Sequence, residues 1–224
     1  MYCRSGIVLG RDSHGKPVST FKTVTMCNHN DYYHDFLLRQ CPANARRALD
    51  VGCGLGQLSK KLAGMVPAVD ALDADASTLK FAIAENPAPN IRFIQEDFLT
   101  SNLSENSYDF VIAVASLHHM DIRVALSKMR SLASPGGVIA ILGLYRESTF
   151  ADYIYCAISL PWSLACRIRF GATSETHQVI ILPPNHTLRE IRATAEAILP
   201  GCLLRRQLLW RYSLYWCKER DETP

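Results

Sequence analysis

No Cys-x-x-Cys pair occurs in this 224-residue sequence, although it carries eight cysteines. Scattered thiols without paired spacing argue against a zinc ribbon or a disulfide framework and point to buried thiols in a reducing, cytoplasmic setting. His29 and His34 stand five apart with no second cluster, so no metal site is expected. A long cationic run is also missing. The net charge of +3 is only a mild basic excess, and a nucleic-acid partner usually leaves a basic stripe. No basic-then-apolar secretory signal opens the chain. One long uncharged stretch, residues 153–166, is too short for a membrane span and carries Pro161 in its middle. It reads as a buried or lid-like helix pair, with interfacial membrane contact as the alternative. Internal repeats and low-complexity linkers are absent as well.

What remains is an ordinary globular composition, 48% hydrophobic and 20% charged, at a length suited to one α/β domain. Residues 1–28 show no periodicity and read as an N-terminal arm. Residues 30–40 are compatible with a helix capped by Asn30 or Asp31 and stopped by Cys41-Pro42. Strands and helices then alternate: strands at 47–51, 68–73, 91–95, 109–113 and 138–142, with helices at 57–65, 77–85 and 122–132. Ser134-Pro135-Gly136-Gly137 reads as a turn into the fifth strand, whose continuous apolar run predicts burial on both faces. Such alternation implies right-handed crossovers and a parallel sheet covered on both sides. Beyond it, 147–170 looks helical with a break at Pro161. Thr187 and Glu190 form a capping-box pattern for a helix over 187–199. Residues 202–218 look like two strands bending near Trp210-Arg211. The expected organisation is a single domain: arm and cap helix 1–44, core 45–143, helical insertion 144–186, and a C-terminal helix with a strand pair 187–224.

One segment carries the chemistry. Residues 48–57 read Ala-Leu-Asp-Val-Gly-Cys-Gly-Leu-Gly-Gln, a short apolar strand ending in Asp50, three alternate glycines and then a helix. Glycine lets the backbone approach a ligand because no Cβ blocks the way. A dinucleotide site wants G-x-G-x-x-G, but here the third glycine comes one residue early and Gln57 stands in its place. The pattern Asp-x-Gly-x-Gly-x-Gly resembles motif I of the class I S-adenosylmethionine-dependent methyltransferases, and four further signals follow in order. Asp73 closes the second strand roughly twenty positions on, where an acid can accept both ribose hydroxyls. Glu96-Asp97-Phe98 follows the third strand. The fourth strand runs into Ala115-Ser116-Leu117-His118-His119, and the Ser-Pro-Gly-Gly turn completes the series. The resemblance spans about residues 45–143.

It implies a doubly wound, seven-stranded, mainly parallel sheet with an antiparallel last strand, and S-adenosylmethionine as cofactor. The residues it assigns to that cofactor are Asp50, Gly52, Cys53, Gly54 and Gln57 in the turn, and Asp73 and Ala74 after the second strand. Asp97 would accept from the adenine amino group with Phe98 packed on the ring, and Ala113 would lie against the methionine part. Residues 30–34 resemble the segment that closes over the cofactor in small-molecule members, making Tyr33 and His34 candidates there. His118 and His119 fall where acceptor should meet cofactor, as a general base or as packing. Histidine suits proton removal because it titrates near neutrality, and such catalysis adds about 10²–10⁴-fold. The Asn-Pro-Pro-Tyr of amino-methylating nucleic-acid enzymes is absent, which leaves a small-molecule O, N or C nucleophile, in specialised metabolism, as the expected acceptor. Two other readings stand beside this one. A nicotinamide oxidoreductase is disfavoured by the early glycine and by the lack of any Tyr-x-x-x-Lys pair; a non-catalytic cofactor-binding scaffold would keep the same motifs.

Overall fold

The computed structural model describes residues 29–150, 152–155, 157, 159, 184–208 and 210–220. The expected N-terminal arm, and most of the expected 144–186 insertion, lie outside the described residues. The elements run α1 (His29–Leu38), β1 (Arg47–Val51), α2 (Gln57–Ala63), β2 (Ala68–Asp73), α3 (Ala76–Glu85), β3 (Ile91–Gln95), β4 (Tyr108–Val114), a 3-10 turn (Leu117–His119), α4 (Ile122–Leu132), β5 (Ala133–Leu144), α5 (Leu188–Ile198), β6 (Leu203–Gln207) and β7 (Arg211–Cys217). The strands form one sheet in the order β3-β2-β1-β4-β5-β7-β6. β7 pairs antiparallel with both neighbours, and the other pairings are parallel.

Strand alternation sends side chains to two cores. Ala48, Val69, Phe110, Ile112 and Leu142 pack under Leu37 of α1 and Leu58 and Leu62 of α2. On the opposite face Leu49, Val111 and Ile141 meet Leu126 and Met129 of α4 and Ile191 and Ala195 of α5. The central strands β4 and β5 are covered on both sides, as their continuous apolar runs require. Helix starts follow local chemistry. Asp75 caps α3 through Ser77 and Thr78 N–H, Asp121 caps α4 through Val124 N–H, and Thr187 and Glu190 form a complete capping box on α5.

Two expectations need correction. Ser134-Pro135-Gly136-Gly137 does not precede the fifth strand but lies inside it. β5 starts at Ala133, opposite Tyr108, and residues 134–137 loop out before Val138 pairs with Phe110. Ser134 Oγ donates to Asp109 Oδ1 at 3.0 Å, and Gly136 and Gly137 exchange backbone hydrogen bonds with Lys218. The tetrapeptide thus bulges without ending the strand. In the last hairpin Gln207 already pairs with Arg211, so Arg211, expected in the bend, belongs to β7. Trp210, just before β7, takes the left-handed conformation at φ 60°.

At the amino ends of the strands a buried carboxylate ties four of them together. Asp70 of β2, 4% exposed, accepts from Arg47 of β1 (2.8 Å), Arg92 of β3 (2.8 and 3.0 Å) and the Tyr108 hydroxyl of β4 (2.7 Å). Burial alone would raise its pKa. Hydrogen bonds from Arg92, Tyr108 and Arg47, with the Arg47 charge, outweigh burial and hold the carboxyl below its ordinary value. This contribution is complete above the unfolded-state pKa and is lost as pH falls through the lower folded one. Asp70→Ala is therefore expected to cost about 2–3 kcal/mol at pH 7. That is less than for a fully buried pair because both arginines reach solvent. Denaturant titrations from pH 3 to pH 7 should show the gap between wild type and variant closing below about pH 4.

Candidate active site

The carboxyl ends of β1, β2 and β4 meet at the switch point of the sheet, where strand order reverses and ligands bind in open α/β folds. The glycine turn leaves β1 there, and the end of β2 fixes it. Gly52 and Cys53 N–H both donate to Leu72 O, at 2.8 and 2.9 Å, and Gly54 N–H donates to Asp73 Oδ2 at 2.8 Å. Gly52 and Gly54 take φ +70° and +52°, which L side chains rarely adopt. They differ in what surrounds them. A Cβ on Gly52 would lie 2.5 Å from Ser116 Cβ at the exit of β4, whereas a Cβ on Gly54 would meet nothing within 4 Å. Gly56 is a packing residue, with Ala82 of α3 3.1 Å from its virtual Cβ. The turn is thus filled by protein beside Gly52 and open beside Gly54.

Asp73 borders that opening. Its Oδ1 accepts from Asp75 N–H at 2.9 Å and its Oδ2 from Gly54, so both oxygens are oriented and each retains acceptor capacity for a hydroxyl. Ala74 follows as an exposed residue. Asp50 lies beneath the turn, 1% exposed, and accepts from Ser59 Oγ of α2 at 2.6 Å. Burial pushes its pKa up to about 7; the Ser59 hydrogen bond opposes this and the Asp73 charge adds to it. Cys53 is buried and Gln57 half-buried at the start of α2.

At the exit of β4, Ala113 is fully buried and Ala115 takes φ 52°. Ala115 N–H donates to Leu142 O and Ser116 Oγ to Val51 O, both at 2.7 Å, joining the ends of β4, β5 and β1. His118 and His119 follow with ring centroids 3.9 Å apart; His119 is exposed and His118 half-buried. His118 borders a small cleft with Leu117, Ile122, Leu144, His186 and Tyr212. Burial, His119 and the nearby Arg211 lower its pKa to about 4, so the imidazole is neutral at physiological pH.

Asp97 is exposed after β3, its Oδ1 accepting from Leu99 N–H at 2.7 Å. Phe98, expected to pack on an adenine, is 1% exposed and lies in the core with the Lys128 ammonium 5.4 Å from its ring centre. Tyr33, expected over the cofactor, is buried in the seam between α1 and the sheet, with its hydroxyl donating to Leu208 O at 3.0 Å. Neighbouring His34 is buried too, and burial with the Lys61 charge lowers its pKa to about 4 despite Asp35. Sequence reasoning missed Ser59, Tyr212 and Arg211. An arginine isolated in the apolar 208–216 run was the one available signal.

A profile described as a methyltransferase domain matches residues 49–141, the span from the glycine turn to β5. An uncharacterized methyltransferase of Mycobacterium tuberculosis is 34% identical over 190 residues, covering 84% of this chain and 95% of the relative. The chain belongs to the class I S-adenosylmethionine-dependent methyltransferases. Its cofactor is accordingly S-adenosylmethionine. Solved structures agree on the fold of this methyltransferase. The N-methyltransferase NodS from Bradyrhizobium japonicum, in complex with S-adenosyl-L-homocysteine, superposes with a TM-score of 0.58 at 15% identity, covering 84% of this chain and 86% of that one. Geranyl diphosphate C-methyltransferase from Streptomyces coelicolor gives 0.59 at 11% identity, covering 84% and 76%. The trans-aconitate 2-methyltransferase of Variovorax paradoxus is 31% identical over 107 residues, 47% of this chain and 41% of that protein. Gly54 is open on one side, next to the oriented Asp73 carboxylate.

Two outcomes follow for the methyltransferase. Gly54→Ala points its Cβ into open space, so the domain should stay folded at a strain cost of about 1–2 kcal/mol. Its affinity for S-adenosylhomocysteine should fall by at least about 10²-fold by calorimetry, as should that of Asp73→Ala. Retained affinity in either folded variant contradicts the placement. Asp50 supplies the pH dependence. With its folded pKa raised to about 7, the carboxyl ionises between pH 6 and pH 8, and an ionised acid favours a cationic cofactor. S-adenosylmethionine affinity should therefore rise with pH across that window, with proton release on binding, and Asp50→Asn should flatten the slope.

Proposed function

We propose that this methyltransferase acts on a small organic acceptor, that it does so in the cytoplasm, and that the reaction belongs to specialised metabolism. The observation that carries the reading is the cleft beyond β4 and β5. Its described walls come from the His118 turn, the end of β5, residues 184–186, α5 and Tyr212. A macromolecular substrate would need a broader surface. Trans-aconitate and geranyl diphosphate, the substrates in the names of one relative and one structural neighbour, are small molecules too.

The cofactor, when bound, supplies a methyl group already activated on a sulfonium. The protein's part is then alignment and dry surroundings, and most of the acceleration comes from proximity and orientation. Gly52 and Ser116 fix the relative position of the two loops between which the reacting groups meet. Asp73 orients one end of the cofactor, while Leu117, Leu144 and Tyr212 exclude water from the acceptor side. His118 is neutral, and a pKa of about 4 makes it a weak base. Its role is to orient the acceptor through its ring nitrogens, with proton removal as the alternative.

A transfer assay with methyl-labelled cofactor and a metabolite extract tests the reading: label should appear in a low-molecular-mass product identified by mass. Label in protein or nucleic acid, or cofactor binding without turnover, contradicts it. The His118→Ala variant should lower kcat about tenfold or more with S-adenosylhomocysteine affinity unchanged. Because His118 loses its proton near pH 4, its titration should leave no limb in the wild-type rate between pH 6 and pH 9. A limb near pH 6.5 that vanishes in the variant would instead identify it as a base of ordinary strength.

A further inference from the structure

Asp50 sits where a carboxylate is costly. It is 1% exposed near the end of β1, and among the described residues no lysine or arginine pairs with it. Its side chain has one hydrogen bond among them, accepted by Oδ2 from Ser59 Oγ at 2.6 Å. Ser59 is fully buried in the first turn of α2, so this bond closes the root of the glycine turn from the far side. The groups facing Asp50 offer it no positive charge. Its register partners on β2 and β4 are Ala71 and Ile112. The titratable neighbours are Asp73, whose charge opposes a second one, and the Cys53 thiol, which burial and the two acids keep protonated. Lys60 and Lys61 of α2 are exposed, and Lys61 pairs with Asp35 at 3.1 Å.

A buried acid without a cation stays ionised only if donors are aimed at it, and Ser59 is the donor here. The charge that the protein withholds is one the cofactor brings. S-adenosylmethionine carries a positive sulfonium, and S-adenosylhomocysteine is a neutral thioether at the same sulfur. The two share every other group except the methyl. A fixed anion beneath the turn therefore acts on the difference between them, and in a low-dielectric interior it does so across several ångströms, without direct contact. We infer that Ser59 is a positioning residue: its hydroxyl holds the Asp50 carboxylate charged and oriented beneath the glycine turn, and that charge makes the site prefer the sulfonium cofactor to the thioether product. Methyl transfer removes the positive charge, so the product is held less tightly than the cofactor that must replace it. The inference does not depend on what accepts the methyl group.

Calorimetric titration of the whole chain with S-adenosylmethionine and with S-adenosylhomocysteine, from pH 5.5 to pH 8.5, tests this. The ratio of the two affinities cancels the groups that the ligands share, including their own titrating amines. With Asp50 poised near pH 7, the wild-type preference for S-adenosylmethionine should climb about tenfold as pH rises through that range. In Asp50→Asn the ratio should stay low and flat. Without the Ser59 donor the carboxyl ionises at higher pH. In Ser59→Ala the climb should therefore move alkaline by about one unit, and the preference at pH 7 should fall at least about threefold. Ser59→Cys, close in size but a weaker donor, should shift the climb in the same direction, which separates the hydrogen bond from a packing defect or misfolding in the alanine variant. A wild-type preference indifferent to pH, a climb at the wild-type pH in folded Ser59→Ala or Ser59→Cys, or an equal loss of both ligands at every pH overturns the inference.

Discussion

The end of β2 holds the glycine turn in place, and the site depends on that restraint. Three consecutive backbone N–H groups, from Gly52, Cys53 and Gly54, are taken up by the Leu72 carbonyl and the Asp73 carboxylate. A turn with three left-handed glycines has no helical or sheet pattern to satisfy these donors, so an adjacent strand end must do it. Once anchored, the turn presents bare backbone on one side. On the other it receives Ser116, whose hydroxyl closes back onto Val51 O. The loops after β1, β2 and β4 are thereby fixed relative to one another before any ligand arrives, the condition under which orientation can accelerate a transfer.

The sheet divides its labour between its two ends. At the amino ends, Asp70 and Asp109 gather arginine, tyrosine, serine and backbone donors from β1, β3, β4 and β5. At the carboxyl ends the titratable groups sit against their preferences: Asp50 is hard to ionise and His118 hard to protonate, both chiefly through burial. Groups of this second kind tend to collect at functional sites, where local stability is given up for reactivity. The first kind holds the sheet together. Substitutions at the two ends should accordingly separate into stability effects and ligand effects.

How much was legible in the chain depended on distance along it. The glycine turn, Asp73, the Asp75 cap and the Thr187–Glu190 box are short-range patterns, and each sits where its local chemistry put it. The parallel core followed from alternating apolar runs, and the strand pair at the end of the chain supplied β6 and β7. Failures came where partners are remote. Nothing near Ser134 reveals that Asp109 and Lys218 will hold the tetrapeptide inside a strand. Nothing near Gly143 announces Tyr212, sixty-nine positions away and opposite it in register. Phe98 has the spacing for a ligand contact, and its ring lies in the core with the Lys128 ammonium 5.4 Å from its centre.

The reversed direction of β7 has a consequence for how the protein becomes competent. Running against β5, it brings its first residues, Arg211 and Tyr212, to the ligand end of the sheet. The glycine turn, Asp73 and the exit of β4 all lie N-terminal to residue 117, whereas the far wall of the cleft beside His118 waits for residues 184–212. During synthesis a nascent chain would acquire the glycine turn and the β4 exit well before that far wall, since elements emerge in order. The partly made protein would then be open on that side, and only the last hairpin would close the cleft.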